Sequence, residues 1–524
     1  MGDGKPLSKT ASILISALEK EDLPKNENKL TVNPVVSQIA YLYEKLRNAM
    51  EYREDEVILR STIERILKRR LLLGGNPATI SEPLLRELLW ARYVPNDHIG
   101  DKVVEQVTAS ISLHLTLRQS LIKKRILGEG RINEWIYQLV SSDIAHIVSP
   151  NAEREIMASF MFQVLKEHVT ISDDTNQTRD AQVFLAVRKA FNRDDIAILR
   201  YQLFKQFFGE LTQGSLEKTA DNFIEGYKEI NREIYYPVKD IIYLYIKRKT
   251  PPFLILEDVL RTQKGNIKAV LEDKVLFEKV IFSLCDLRYQ GIASKVRRAV
   301  IRSVIFVLFT KVVIAVLVEA SYERIIYGQI FLNSMLFNIS IPPLLMIGVG
   351  ASIRIPGRDN SKEILREITT VLYEDKPVLG QTLVVRKKKD KKEPILNIIF
   401  TLLWFLAFLV SFGAILFFLM KLHFNIVSEM VFLFFLAIVS FLSYRITLTA
   451  NLYTVLERQG ILTPIIDFFF MPIVRVGRDL TEGISQINVV LFIFDFLIET
   501  PFKGLFSFFE QWFLFLHAKR EELG

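Results

Sequence analysis

The sequence predicts an all-α fold: a polytopic helical membrane protein with about four transmembrane helices, a large N-terminal helical cytoplasmic domain and C-terminal amphipathic, interfacial helices. Three observations predict it. Four strongly apolar stretches, near 303–320, 330–352, 395–420 and 427–446, each supply the ~20 helical residues needed to cross a bilayer core about 30 Å thick. Lysine and arginine gather on one side of all of them. The first 298 residues are charge-rich and repeat their apolar residues at helical spacing, without a convincing alternating run that would mark a strand.

Composition agrees with two regions of different solvent. Half of the 524 residues are hydrophobic and 38 are Phe, yet a quarter are charged, with a net charge of +8. The single cysteine, Cys285, excludes an internal disulfide and a thiolate metal cluster and suits a reducing compartment. The opening MGDGKPLSKT lacks the apolar run of a cleaved signal peptide, and Pro6 stands where N-myristoylation favours Ser or Thr.

Residues 1–30 are polar and expected as a loosely ordered tail, in which 9–20 could form a short helix. Residues 31–298 are expected as the cytoplasmic helical domain. Ser81 is read as a cap with Leu84, Leu85, Leu88 and Leu89 buried behind it. Ser149-Pro150 reads as a helix start before Ile156, Phe160 and Val164. Ile196, Leu199, Leu203 and Phe207 form one apolar stripe. Breaks are expected at Gly74–Pro77, Gly128–Gly130, Ser172–Asn176 and Thr250-Pro251-Pro252, with 172–176 the internal boundary.

Topology follows from the basic residues in short loops. Arg288, Lys295, Arg297, Arg298 and Arg302 precede the first apolar segment, and eleven basic residues lie in 353–394. The loop after segment one holds only Arg324, and that after segment three only Lys421. The expected order is transmembrane helices 1–2 in 299–352, a basic cytoplasmic loop in 353–394, helices 3–4 in 395–446 and a cytoplasmic-side tail in 447–524, with both termini in the cytoplasm of a cell whose plasma or inner membrane the protein occupies. In the tail, 461–474 reads as a shallow or re-entrant piece. Glu482, Ser485, Asn488, Asp495 and Glu499 share one polar helical stripe, opposite a face that includes Phe494. A second helix near 504–517 carries Phe506, Phe509, Trp512 and Phe513. These five aromatics are the expected interfacial anchors; packing on the bundle or on a partner is the competing reading.

Three features invite chemistry. Lys311 sits near the middle of segment one, where a lysine costs about 2.5–3.5 kcal/mol on insertion scales. On a regular helix Glu319 lies two turns on and about 80° round, too far to pair, which leaves Glu429 and Asp467 as candidates. Snorkelling to the interface is the plainer alternative. Asn338, Pro342 and Pro343 interrupt segment two, as a broken transporter helix or a simple kink. Lys311, Glu319, Asn338, Pro342, Pro343 and Glu429 thus form the candidate intramembrane polar site. Arg386, Lys387, Lys388, Lys389, Lys391 and Lys392 could hold anionic lipid, although orientation of segment three explains their position alone.

The six histidines lack metal-ligand spacing, and no phosphate-binding or hydrolase motif occurs. No cofactor, no catalytic residue and no nucleic-acid partner is expected. The expected function is non-enzymatic: the helical domain recruits or scaffolds a cytoplasmic protein partner or a second copy at the inner membrane face, and the amphipathic tail shapes the inner leaflet. The competing expectation is an oligomeric transporter or channel.

Overall fold

The computed structural model describes residues 6–19, 30, 32–51, 55–96, 98–387, 393–422, 424–456, 463–485 and single positions within 504–519. It is 81% helical, and four helices are long and apolar enough to cross a membrane. The chain divides into two compact units. The head unit contains Leu7–Thr250, Val371–Lys387 and Asn488–Gly524; the bundle unit contains Met1–Pro6, Pro251–Thr370 and Lys388–Ile487.

The head begins with α1 (Lys9–Glu19), α2 (Pro34–Glu51), α3 (Asp55–Leu72), α4 (Pro77–Trp90) and α5 (Asp101–Lys123). It continues with α6 (Glu129–Val148), α7 (Ala152–Leu165), α8 (Asn176–Val187), α9 (Ile196–Phe208) and α10 (Leu216–Ile234). One core joins α2–α6 through residues such as Ile63, Leu84, Leu88, Ile111 and Ile144. A second, around Leu121, Trp135, Phe204 and Phe223, joins α5, α6, α9 and α10.

Several sequence expectations are corrected here. The short helix allowed within 9–20 is present, though packed rather than loose: α1 buries Ala11, Leu14, Ile15 and Leu18, and Ser8 N–H donates to Leu372 O at 2.8 Å. Helix α4 starts before Ser81, because Asn76 closes a capping box with Thr79 and Pro77 fits the first turn. In α9 the inward face is Ala197, Arg200, Tyr201 and Phe204 beside Leu199 and Leu203, whereas Ile196 and Phe207 are exposed. The all-α class stands, with one short exception: β1 (Val169–Ile171) pairs in parallel with β2 (Leu383–Val385), Val169 opposite Leu383. Ser172–Asn176 therefore ends a strand inside the head rather than parting two domains. α11 (Lys239–Thr262) runs through Pro251 and Pro252, and Thr250 Oγ1 donates to Ile246 O one turn back at 3.0 Å.

In the bundle unit, α12 (Ile267–Glu272) leads into α13 (Lys274–Ile314), a π-helical turn Ala315–Ala320 and α14 (Ser321–Tyr327), one continuous helical column. α15 (Leu332–Ser352), α17 (Glu393–Lys421), α18 (Ile426–Ala450) and α19 (Thr463–Ser485) complete it, and α16 (Arg358–Tyr373) stands in the stretch expected as a loop. α13, α15 and α18 pack on one another, while α19 lies between α18 and α17. Their outward faces are apolar and exposed, as at Phe309, Leu344, Phe405 and Phe418, which suits lipid rather than water. α15 passes through Pro342 and Pro343 without a break; the double proline is absorbed inside one helix. The piece expected to be shallow or re-entrant belongs to α19, one helix running through Pro472. Gly477 makes its contact with α18 feasible, because a Cβ there would collide with the Ala437 carbonyl. At the base of the bundle unit the Asn360 amide donates to Tyr289 Oη at 2.9 Å and to Tyr453 O at 2.7 Å, and its oxygen accepts from Val455 N–H at 2.8 Å. One side chain thus fastens α13, α16 and the chain leaving α18.

Candidate functional site

The apolar run of α13 brings Lys311 to a position fully closed from solvent. A regular helix would then carry Glu319 away from it. The π turn prevents that: hydrogen bonds to the fifth residue make a wider turn with less rotation per residue, which takes back part of the expected offset. Lys311 Nζ donates to Glu319 Oε1 at 3.0 Å, with the two side chains 0% and 1% exposed. The ammonium also lies 5.0 Å from the centre of the Phe435 ring on α18. The expectation that Glu319 stands too far to pair is therefore wrong. The residues named in its place do not reach Lys311: Glu429 is half-buried one position beyond the cluster, and Asp467 is exposed on α19.

The second carboxylate oxygen of Glu319 collects donors from two other helices. Asn338 Nδ2 on α15 reaches it at 2.6 Å and Ser428 Oγ on α18 at 3.2 Å. Asn338 Nδ2 also donates to Ser428 O at 3.2 Å. Asn338 Oδ1 is buried and, among the described residues, has no hydrogen-bond partner. Pro342 and Pro343, both buried, follow one turn later; lacking N–H groups, they leave the carbonyls of Asn338 and Ile339 without their helical donors.

One turn beyond Glu319, Glu323 is 1% exposed. It accepts from Asn425 Nδ2 at 2.7 Å and from Phe331 N–H at 2.8 Å. Asn425 is also the N-cap of α18, with its Oδ1 accepting Ser428 N–H at 2.8 Å. The positive end of α18 is thereby turned toward both carboxylates. Glu323, Ser428, Asn425 and Phe435 escaped the sequence reading. Two signals were available: Glu319 and Glu323 are four residues apart on one face, and Asn425-x-x-Ser428 is a helix-start pattern.

The arrangement can hold charge inside an apolar bundle. No group of three or more acidic, His or Cys side chains fit for a metal occurs among the described residues. An apolar groove of about 410 Å³ on α15, lined by Ile341, Leu344, Leu345, Gly348, Val349 and Ser352, carries no titratable group.

Of the basic cluster, Arg386 is exposed and Lys387 is engaged within the head. Lys387 Nζ reaches Asp174 at 2.8 Å, its N–H reaches Asp173 Oδ1 at 2.6 Å, and its ammonium lies 5.4 Å from the Tyr236 ring centre. The Lys387 ammonium, with the Thr175 N–H and the Tyr236 hydroxyl, holds the Asp174 carboxyl well below the usual carboxylate range. Lys388, Lys389, Lys391 and Lys392 lie outside the described residues, as do Phe494 and Phe506. Phe509 and Trp512 are exposed, while Phe513 packs against the head core around Leu84 and Leu88.

Comparison with family models, with curated proteins and with solved structures finds no match to this chain.

Proposed function

We propose that this protein is a membrane-anchored, non-enzymatic scaffold. The four apolar helices hold it in a plasma or inner membrane with both termini in the cytoplasm, and the helical head recruits a protein partner at the inner face. The observation that carries the reading is an unpartnered apolar stripe on the head: Val35, Ile39 and Leu42, at four- and three-residue spacing on α2, are 51%, 46% and 60% exposed. A face of that kind on a soluble helix marks a surface used by another protein. The bonds of buried Glu319 to Asn338 on α15 and Ser428 on α18 support an anchoring role for the bundle, since buried polar groups of this kind are best attested as devices that fix register between packed elements. Exposed Arg386 beside the remaining lysines of 386–392 supports contact with anionic lipid at the same face, and the Phe-rich tail supports shaping of the inner leaflet.

The test is site-specific photocrosslinking of the full chain in its own membrane. A benzophenone side chain replacing Leu42 is expected to give one discrete protein adduct, whereas one replacing the outward-facing Leu402 of α17 gives lipid adducts. Lipid adducts at both positions, together with ion flux through reconstituted protein that Lys311→Leu abolishes, would replace the scaffold with a transporter.

A further inference from the structure

Helix α19 carries a charged face at a level where its neighbours are wholly apolar. Ser411 of α17 donates its hydroxyl to Phe469 O at 2.7 Å, and Gly477 closes on the Ala437 carbonyl of α18. Ser411 lies close to the middle of the apolar stretch Ile398–Lys421, and Ala437 close to the middle of Ile426–Tyr453. Phe469 and Gly477 are eight residues apart, about 12 Å along a helix axis, yet both meet the same level. α19 therefore runs across the two stretches rather than along them. Its inner face buries Pro472, Ile473, Val474 and Gly477. Its outer face repeats Asp467, Met471 and Arg475 at four-residue spacing, one stripe on a helix. Asp467 and Arg475 are both exposed. Further along, Arg478 and Asp479 pair with each other at 3.1 Å. Among the described residues no ion pair reaches Asp467 or Arg475, and the Arg475 guanidinium faces the Trp404 ring at 5.9 Å. Regular α geometry keeps these two charges about 12 Å apart, with no π turn to fold one toward the other as there is between Lys311 and Glu319. Charges within apolar spans pair with one another or face a polar cavity, because hydrocarbon does not solvate them.

We propose that the outer face of α19 is the contact between two copies of this chain inside the membrane, an antiparallel helix pair crossing at Met471. In a pair centred there, Asp467 of one copy faces Arg475 of the other, about 6 Å to either side of the crossing. The two-fold axis makes the contact twice, so one stripe supplies two ion pairs and leaves neither charge over. The direction of α19 fits the same symmetry. Two copies inserted the same way in one membrane are related by an axis along the membrane normal. Such an axis sets a helix antiparallel to its copy when the helix lies across the membrane, as α19 does. The charge pattern favours a second copy over water or a lipid headgroup: one charge of each sign stands four residues to either side of Met471, and the stripe is its own complement. Met471 is unbranched and adaptable, which suits packing against itself at the crossing. This contact goes beyond the scaffold reading and rests on it for the membrane placement of the bundle alone.

The test is oxidative crosslinking of the full chain in its own membrane. The native Cys285 is buried, which keeps the background silent. Met471→Cys sets one thiol on the two-fold axis and is expected to give a disulfide-linked dimer. Within that chain, Asp467→Arg and Arg475→Asp each place like charges opposite one another and should lower the dimer yield about tenfold, while the two together restore opposite charges and most of the yield. The double reversal keeps the result independent of how well either single variant inserts. No dimer from Met471→Cys, or a double reversal no better than the single ones, would overturn the proposal. So would ready labelling of Asp467→Cys by a water-soluble maleimide, which would put water or lipid headgroups on the stripe. Leu402→Cys, on the outward face of α17, reports the membrane placement separately. Its labelling by the same maleimide would overturn that placement and the contact with it, whereas a protected Leu402→Cys beside any of the contrary results overturns the contact alone.

Discussion

The head and the apolar helices of the bundle both bury charge, and they do it in opposite ways. In the head, charges come in overlapping sets. Glu87 is held by both Arg69 and Arg70, Arg60 by Glu64 and Asp195, and Arg188 by Glu155 and Asp194. Loss of one member leaves another in place. Outside the apolar stretches of its helices the bundle unit does the same, with Asp258 held by Arg261 and Arg288; within them one buried pair, Lys311–Glu319, stands alone among the described residues, on a column whose outer face is apolar. There the same kind of bond has no substitute. The difference teaches that a charge must be judged by what would remain beside it, more than by its own geometry.

The largest expected break in this comparison is Lys311→Leu. It leaves Glu319 buried beside another unpaired carboxylate and should cost about 3–5 kcal/mol of bundle stability, read as a lowered unfolding midpoint in nanodiscs, while Arg69→Leu in the head, with Arg70 still on Glu87, should cost clearly less. Next comes Gly477→Ala. The added methyl meets the Ala437 carbonyl, so α18 and α19 must part, at about 1–3 kcal/mol. Gly348→Ala is the matched control, since nothing lies within 4 Å of a Cβ there, and it should be silent in the same assay.

A smaller effect belongs to the head alone. Burial pushes the pKa of the His114 imidazole down, against the nearby Asp143 and the bond of Nδ1 to Ser110 O at 2.8 Å. Below the unfolded pKa of about 6.5 the unfolded chain takes up a proton that the folded head refuses. Stability is therefore full above that pH and falls as pH drops through it. Head unfolding followed from about pH 8 to about pH 5.5 should show this slope, and His114→Gln should flatten it. The smallest effect is Asn76→Ala, which removes the α4 capping box and should cost about 1 kcal/mol, seen as earlier amide exchange in the first turn of α4.

Much of this contrast was legible in the sequence, because it rests on long-range composition. Twenty apolar residues in a row have one reading, and α7, read from Ser149-Pro150 with Phe160 and Val164 on its inner face, begins at Ala152, near its expected place. The candidate site was only half legible. Lys311 stood out by its solvent cost alone, but its partner was dismissed on the geometry of a regular helix, and a π turn leaves no signature in composition. Pro251-Pro252 and Pro342-Pro343 misled in the same direction: proline weakens a helix locally, yet packed neighbours can carry the chain through it. The β1–β2 pair joins residues more than two hundred positions apart, and three-residue strands are too short for any alternation to register. Glu323 was missed because its partners, Phe331 N–H and Asn425 Nδ2, come from the residues before two other helices.

The most direct test of the central claim, that one isolated ion pair locks the apolar bundle, is a double-mutant cycle on Lys311 and Glu319. Lys311→Met combined with Glu319→Leu replaces both charges by apolar groups, and should recover most of what Lys311→Met alone loses, a coupling of at least about 2 kcal/mol. Costs that simply add, with the double variant weaker than either single one, would contradict it.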